Sequence, residues 1–110
     1  MTLREKQSKF AEMIWELLGE VRRRGWEVTL DEFYRPPETA ALYAKQGRGS
    51  VKSLHTLKLA ADINLFIGGK YQQSTKAYEP LGVFWEGLGG AWGGRFNDAR
   101  HFSLPHGGMK

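Results

Sequence analysis

The sequence predicts an α+β fold, a small antiparallel β-sheet with packed helices, in one domain over residues 1–110. Three observations support this class. A chain of 110 residues has room for one modest core. Its 14 glycines are about twice the usual share of roughly 7%, which favours a turn-rich fold over a helical bundle. Amphipathic helical segments also alternate with short strand-like segments.

The first half of the chain predicts a helix, a strand and a second helix. Thr2 and Glu5 have the spacing of a capping box, and an apolar stripe at helical spacing follows until Gly25 ends the helix. Residues 26–30 alternate between apolar and polar side chains, as in a half-buried strand. A proline pair breaks this strand, and a short helix follows over residues 37–47. The stripe of the first helix consists of Phe10, Met13, Ile14, Leu17, Leu18 and Val21.

The second half predicts the rest of the sheet and a third helix. An apolar run over residues 57–66 indicates a central strand, and Gly68 with Gly69 suits the hairpin turn after it. Residues 80–88 predict a third helix with its aromatic side chains buried. Four glycines around Trp92 predict a flexible connector, and residues 101–104 a last strand.

Charge and composition exclude several classes of protein. The formal net charge of +4 and the pI near 9.5 predict attraction to a polyanion, which can be nucleic acid, anionic lipid or an acidic cell-wall polymer. The absence of cysteine excludes disulfide scaffolds, thiolate zinc fingers and thiol catalysis. Because Glu16 interrupts the most apolar early stretch, we expect neither a signal peptide nor a membrane-spanning helix, and therefore synthesis in the cytoplasm.

One acidic residue in the predicted central strand raises the question of metal binding. Asp62 lies among apolar neighbours, where an ionised carboxylate loses hydration and needs compensation. A metal ion shared with His55 and His101 would compensate it, and two imidazoles with one carboxylate leave a coordination position for water. Asp98, three residues before His101, is a candidate general base. The alternatives are structural histidines and an Asp62 that caps a turn or pairs with a basic residue, while His106 is expected at the surface.

The order of several short motifs resembles one enzyme family. Ser53-x-His55-x-x-x-Leu59-Ala60-x-Asp62 is followed by Asp98-x-x-His101-Phe102. Further blocks are Tyr34-Arg35-Pro36, Ala41-Leu42-Tyr43 up to Gly47, and Trp92-Gly93-Gly94-Arg95-Phe96. Together they are similar to the zinc D,D-carboxypeptidase and L-alanyl-D-glutamate endopeptidase family, which cleaves bacterial cell-wall peptides and includes phage endolysins. The resemblance implies a fold of the zinc D-Ala-D-Ala carboxypeptidase or hedgehog-like type.

The resemblance also implies a role for individual residues. His55, Asp62 and His101 would hold one zinc ion, and Asp98 would be the catalytic general base. Arg35 would bind a substrate carboxylate or polarise a carbonyl, and Ser53 would bind substrate in the same cleft. Trp92 either lines that cleft or belongs to the core. Lys58 stands where many relatives have glycine, and Asp98 where several have glutamate.

These roles imply a zinc metallopeptidase that hydrolyses peptidoglycan stem peptides, foremost an L-alanyl-D-glutamate endopeptidase of the phage-endolysin type. Without a leader, an anchor or room for a wall-binding domain, the protein is expected to accumulate in the bacterial cytoplasm and act on the wall after release, as a monomer without membrane insertion. The alternatives are a D,D-carboxypeptidase, an inactive zinc-binding protein, and a basic nucleic-acid-binding module. The last is disfavoured because the aromatic residues have core-like spacing.

Overall fold

The computed structural model describes residues 1–49 and 52–110, which form three α-helices and a five-stranded antiparallel sheet. The predicted α+β class is confirmed. In chain order the elements are α1 (Leu3–Arg23), β1 (Glu27–Leu30), α2 (Pro37–Lys45), β2 (Ala60–Ile67), β3 (Lys70–Tyr71), α3 (Thr75–Gly87), β4 (Ala91–Trp92) and β5 (His101–Ser103). The glycine- and lysine-bearing stretch over residues 48–52 predicts a loop, of which Ser50 and Val51 lie outside the described residues.

Local signals at the ends of the first two helices agree with the structure. Thr2 and Glu5 form both hydrogen bonds of the capping box at the start of α1. Gly25 adopts a φ of 74° after that helix, and Gly47 a φ of 71° after α2, which is the left-handed conformation that ends a helix. None of the helices in the described part of the chain is long and apolar enough to cross a membrane.

Strand β2 is the central strand of the sheet, whose order is β1-β2-β5-β4, with β3 also paired to β2. β1 pairs with its C-terminal half and β5 with its N-terminal residues. Ile63 and Leu65 are buried in the core, and Asp62 lies on the opposite face, as the two-residue repeat of a strand requires. The Gly68–Gly69 turn connects β2 to β3 as predicted.

Three predicted elements differ from the structure. β2 begins at Ala60, because residues Leu54–Leu57 form a 3₁₀ helix. α3 begins at Thr75 instead of residue 80, since Ser74 caps it by accepting a hydrogen bond from the Ala77 amide at 3.1 Å, and Pro80 lies inside it. The half-buried character of β1 is wrong at Leu30, which is 57% exposed.

The connector around Trp92 is a closely packed segment, so the predicted flexible connector is wrong. It consists of β4 followed by a 3₁₀ helix over Gly93–Phe96. The Trp92 ring is buried, and its Nε1 donates to the Ala99 carbonyl at 2.8 Å. A Cβ atom added to Gly82 or Gly94 would lie 2.1 Å from this ring. The glycines therefore allow tight packing of Trp92 in the core, which also decides its role between cleft and core.

Candidate metal centre

Strand pairing brings the first two predicted metal ligands together. Asp62 of β2 and His101 of β5 are directly paired residues of the antiparallel ladder. Such partners project their side chains on the same face of a sheet. The Asp62 Oδ1 atom accordingly lies 3.4 Å from the His101 Nδ1 atom. Because Phe102, the next residue, points into the core, the register of β5 determines which face His101 occupies.

The third predicted ligand comes from the 3₁₀ helix before β2. The Ser53 hydroxyl oxygen accepts a hydrogen bond from the His55 amide at 3.2 Å and caps this helix. Lys58 ends it in the left-handed conformation, with a φ of 59°, so the bend is made without a glycine. His55 is buried, and its Nε2 lies 3.4 Å from the Asp62 Oδ1 atom.

The three side chains fit a divalent metal ion. One ligand atom from each of His55, Asp62 and His101 lies within 4.8 Å of the other two. A tetrahedral zinc site with bonds of about 2.0–2.1 Å has ligand separations of roughly 3.3–3.4 Å, and Asp62 Oδ1 is 3.4 Å from both imidazole nitrogens. Asp62 Oδ1 is also buried without a hydrogen-bond partner. A shared cation would satisfy this orphaned atom.

The charge state of Asp62 suits it to metal binding. Burial alone raises the pKa of this carboxyl. The imidazoles of His101 and His55 outweigh that effect, so the pKa lies well below its ordinary range. The side chain is therefore an ionised carboxylate, which is the form that coordinates a metal.

Asp98 lies at the exposed edge of the cluster. Its side chain is half exposed, and its Oδ2 atom lies 3.9 Å from the His101 Nδ1 atom. Its backbone is tied on both sides, because its amide donates to the Gly93 carbonyl at 2.8 Å and its carbonyl accepts from the His101 amide at 3.0 Å. A Cβ on Gly93 would lie 2.1 Å from the Asp98 carbonyl oxygen. Gly93, the first residue of the Gly93–Phe96 3₁₀ helix, therefore leaves the space that the Asp98 carbonyl occupies.

Glu32 and Arg35, which follow β1, form backbone hydrogen bonds with two of the candidate metal ligands. The Glu32 carbonyl accepts from the Asp62 amide, and the Arg35 amide donates to the His55 carbonyl, both at 3.0 Å. Their side chains form an ion pair in which Arg35 Nε donates to Glu32 Oε1 at 2.8 Å. The same Glu32 oxygen lies 3.7 Å from the His55 Nδ1 atom, which is buried without a hydrogen-bond partner. Glu32 therefore faces the Nδ1 atom of His55, whereas the Nε2 atom faces the candidate metal position.

An open cleft of about 410 Å³ adjoins the cluster at Asp62. Among the described residues, its lining includes Arg35, Arg48, Arg100 and the ring of Tyr43. A second depression of about 280 Å³ is lined by Asp98 and also by Arg100. Arg100 thus lines both hollows, and the cluster lies beside an open polar cleft through which a peptide can approach the metal position.

The comparison with known families agrees with this site. A sequence model described as D-alanyl-D-alanine carboxypeptidase matches residues 46–104, slightly more than half of the chain. The chain belongs to this peptidase family. Its members are zinc peptidases, and the matched segment carries His55, Asp62, Asp98 and His101 but not Arg35. No curated protein matches the chain.

Within this peptidase, the other predicted site residues have different surroundings. Arg35 lines the cleft, whereas the Ser53 hydroxyl supports the His55 helix. Its proton remains able to donate to a substrate, so substrate binding by Ser53 stays a prediction. His106 is half-buried in the C-terminal turn, with its Nδ1 atom 3.1 Å from Lys6 Nζ. The second nitrogen of His101 lies 3.3 Å from the Lys110 carbonyl.

Sequence reasoning missed Glu32 and the guanidinium of Arg48. Glu32 lies three residues before Arg35, an acid–base spacing that is common and carries little information by itself. Its position against His55 depends on the pairing of the chain after β1 with Asp62. Arg48 follows the helix-ending Gly47, and only the folded chain directs it to the metal-side cleft.

Proposed function

We propose that this protein is a zinc metallopeptidase that hydrolyses the L-alanyl-D-glutamate bond of peptidoglycan stem peptides, as a phage endolysin does. The observation that carries the proposal is the His55–Asp62–His101 cluster, with the Asp98 carboxylate at its edge and a polar cleft beside it. The endolysin assignment rests on the resemblance of the motif blocks. It implies action on the wall after release from the host cytoplasm, where a net charge of +4 favours contact with anionic envelope polymers.

Each candidate site residue has a separate role in the proposed hydrolysis. His55, Asp62 and His101 would hold the zinc ion, which when bound would supply a Lewis acid for the scissile carbonyl and would lower the pKa of water to about 7. Asp98 accepts the proton of the attacking water and delivers it to the leaving amine, a role for which its half-exposed carboxylate beside His101 is suited. Arg35 is held against Glu32 and has further N–H groups for the carbonyl oxygen.

The presence of two hollows beside the cluster favours an endopeptidase. A substrate cleaved in the middle of a stem peptide continues on both sides of the scissile bond, whereas a terminal dipeptide needs room on one side. The cleft at Asp62 and the depression at Asp98 both lie beside the cluster and are both lined by Arg100, which supports room for a substrate that continues beyond the scissile bond.

A D,D-carboxypeptidase is the second candidate, and the description of the matching family favours it. Both reactions need the same metal ligands and the same base. They differ in the residue that contains the scissile nitrogen, which is a terminal D-alanine in one case and a continuing D-glutamyl chain in the other.

Digestion of purified sacculi tests the proposal and separates the two candidates. The zinc-loaded protein is incubated with sacculi, and the soluble products are identified by mass spectrometry. New N-terminal D-glutamate on the released peptides is expected, whereas release of free D-alanine would assign the D,D-carboxypeptidase reaction. A chelator should stop either reaction and added zinc should restore it. If treatment with the zinc-loaded protein yields neither new N-terminal D-glutamate nor free D-alanine, both candidates are refuted.

A further inference from the structure

We propose that Arg48, stacked on Tyr43, binds a carboxylate carried by the carbon next to the scissile nitrogen of the substrate. This inference rests on the proposed function, because it names the substrate group that the same cleft recognises. It makes Arg48 a determinant of specificity for a free carboxylate over a carboxamide. The argument depends on the substrate bond, on the charges of the cleft and on the anchoring of the Arg48 side chain.

Both candidate bonds carry the same group beside the leaving nitrogen. In D-alanyl-D-alanine the leaving nitrogen is attached to a carbon that bears the terminal carboxylate. In the stem peptide, D-glutamate is extended through its γ-carboxyl, so the carbon attached to its nitrogen also bears a free carboxylate. Either substrate therefore brings a negative charge within two bonds of the leaving nitrogen, close to the metal position. A cationic side chain in the adjoining cleft is the complementary group.

Within the described residues, Arg48 is the arginine of the cleft that is not paired with a carboxylate. Arg35 is paired with Glu32, and Arg100 with Asp31 at 2.9 Å. The third cleft carboxylate, Asp62, belongs to the metal cluster. The hydrogen bond that the structure gives the Arg48 side chain is from its Nε to the neutral amide oxygen of Gln46, at 3.0 Å. Its two terminal nitrogens can then donate as a pair to a substrate carboxylate.

The end of α2 holds Arg48 in place. The Arg48 amide donates to the Tyr43 carbonyl at 2.8 Å, and the Gly47 amide to the Ala44 carbonyl at 3.1 Å. These two bonds are those of a Schellman motif, in which the two residues joined by the first bond usually also make an apolar side-chain contact. Here the guanidinium carbon of Arg48 lies 4.4 Å from the centre of the Tyr43 ring instead. Such stacking on an aromatic ring favours arginine over lysine.

Paired acid and amide substrates test the inference on the zinc-loaded protein. One pair is L-alanyl-γ-D-glutamyl-L-lysine and the same tripeptide with an α-carboxamide on D-glutamate. The other is diacetyl-L-lysyl-D-alanyl-D-alanine and its C-terminal amide. For whichever bond is cleaved, the wild type should prefer the free acid by roughly 10- to 100-fold in kcat/KM, the range expected for a hydrogen bond to a charged group.

Substitutions then locate the preference at Arg48. Arg48→Gln should lower kcat/KM on the acid by roughly 10- to 100-fold, mainly through KM, and leave the amide substrate unchanged, so that the preference disappears. Arg48→Lys should restore part of it, because the charge returns without the planar fork. Arg24→Gln is the matched control, since Arg24 also lies over an aromatic ring, Trp26 at 5.2 Å, but at the end of α1.

The possible results distinguish a failure of the Arg48 inference from a failure of the proposed function. Equal cleavage of acid and amide by the wild type would overturn the inference while leaving the proposed function intact. The inference also fails if Arg48→Gln keeps the acid preference, or if it loses acid and amide hydrolysis equally together with zinc or thermal stability. If the wild type cleaves none of the four peptides, the proposed function fails, and this inference with it.

Discussion

The metal cluster, which consists of His55, Asp62 and His101, differs from the cleft wall beside it, which consists of Arg35, Arg48 and Asp98. Backbone structure positions the cluster, whereas side-chain contacts position the wall. His55 and His101 are 4% and 7% exposed, and the backbone of a strand ladder or a capped 3₁₀ helix sets each position. The Asp98 side chain is half exposed, and Arg48 is exposed at the end of a helix. Side-chain pairing, with Glu32, Tyr43 and Gln46 as partners, arranges the arginines of the wall.

This difference separates the expected effects of substitutions. Changes inside the cluster alter metal binding and, through it, the free energy of unfolding, because a ligand that binds the native state stabilises it. Changes in the wall leave the fold in place and alter turnover or the choice of substrate, with a small effect on metal binding only where Glu32 faces His55. Four substitutions test that division, taken from the largest expected effect to the smallest.

Replacing a buried ligand should have the largest effect. His55→Ala is expected to lose zinc and all hydrolysis, and to melt at a lower temperature than the zinc-loaded wild type, since occupancy at 1,000 times Kd stabilises by about 4 kcal/mol. Zinc per chain and Tm with and without chelator measure this. His106→Ala is the control, because that histidine contacts Lys6 outside the cluster. A His55→Ala protein that retains one zinc and the wild-type Tm would contradict the ligand assignment.

Replacing the edge carboxylate should affect turnover alone. Asp98→Ala is expected to keep zinc and Tm and to lower kcat by about 10²- to 10⁴-fold, the usual contribution of a general base. Asp98→Glu should recover part of the activity, because it keeps a carboxylate at the exposed edge of the cluster. Kinetics on the cleaved substrate, together with zinc analysis, measure the effect. Full activity of Asp98→Ala would show that another group takes the proton.

The turn at Gly93 contacts both Asp98 and His101. A substitution there should therefore lower both the free energy of unfolding and the zinc affinity. Gly93→Ala places a Cβ 2.1 Å from the Asp98 carbonyl oxygen and 2.7 Å from His101 Cβ, so the turn must move. We expect a loss of about 1–3 kcal/mol in the free energy of unfolding, as for other overpacked sites, and weaker zinc binding. Denaturant unfolding and zinc titration measure the two losses.

Gly87→Ala is the matched control for Gly93→Ala. A Cβ on Gly87, the last residue of α3, meets no atom within 4 Å. Alanine there should keep zinc affinity and raise stability by at most about 1 kcal/mol. If both glycine variants behave alike, close packing at Gly93 does not hold the site.

The smallest effect is expected where the wall touches the cluster. Glu32→Gln removes the carboxylate that faces the His55 Nδ1 atom at 3.7 Å. Groups that orient a metal-binding histidine are worth about 10- to 100-fold in metal affinity, and we expect the lower end because Glu32 is partly exposed and shared with Arg35. Competition with a zinc-binding dye measures the change, with Glu38→Gln as the control. Unchanged affinity would show that Glu32 serves Arg35 alone.

The success of the sequence predictions depended on how local their signals are. The capping box at Thr2, the helix end at Gly47 and the turn at Gly68 involve bonds between residues only a few positions apart, and the structure has all three. Pro80 favours a helix start at residue 80, whereas the cap of α3 is Ser74. The apolar run predicts a strand from Leu57, but Leu57 ends a 3₁₀ helix, because apolar residues alone do not distinguish a 3₁₀ helix from a strand.

By itself, the sequence predicted a candidate set of metal ligands and a candidate base, because the order and types of His55, Asp62, Asp98 and His101 are visible without a fold. Tertiary structure decided how they meet. The pairing of Asp62 with His101, which lie far apart in the sequence, is a matter of strand register, and the nearness of Glu32 to His55 depends on backbone bonds between separate segments. Such contacts have no local signal, since they are set by the joint burial of β2, β5 and the tryptophans packed on glycine.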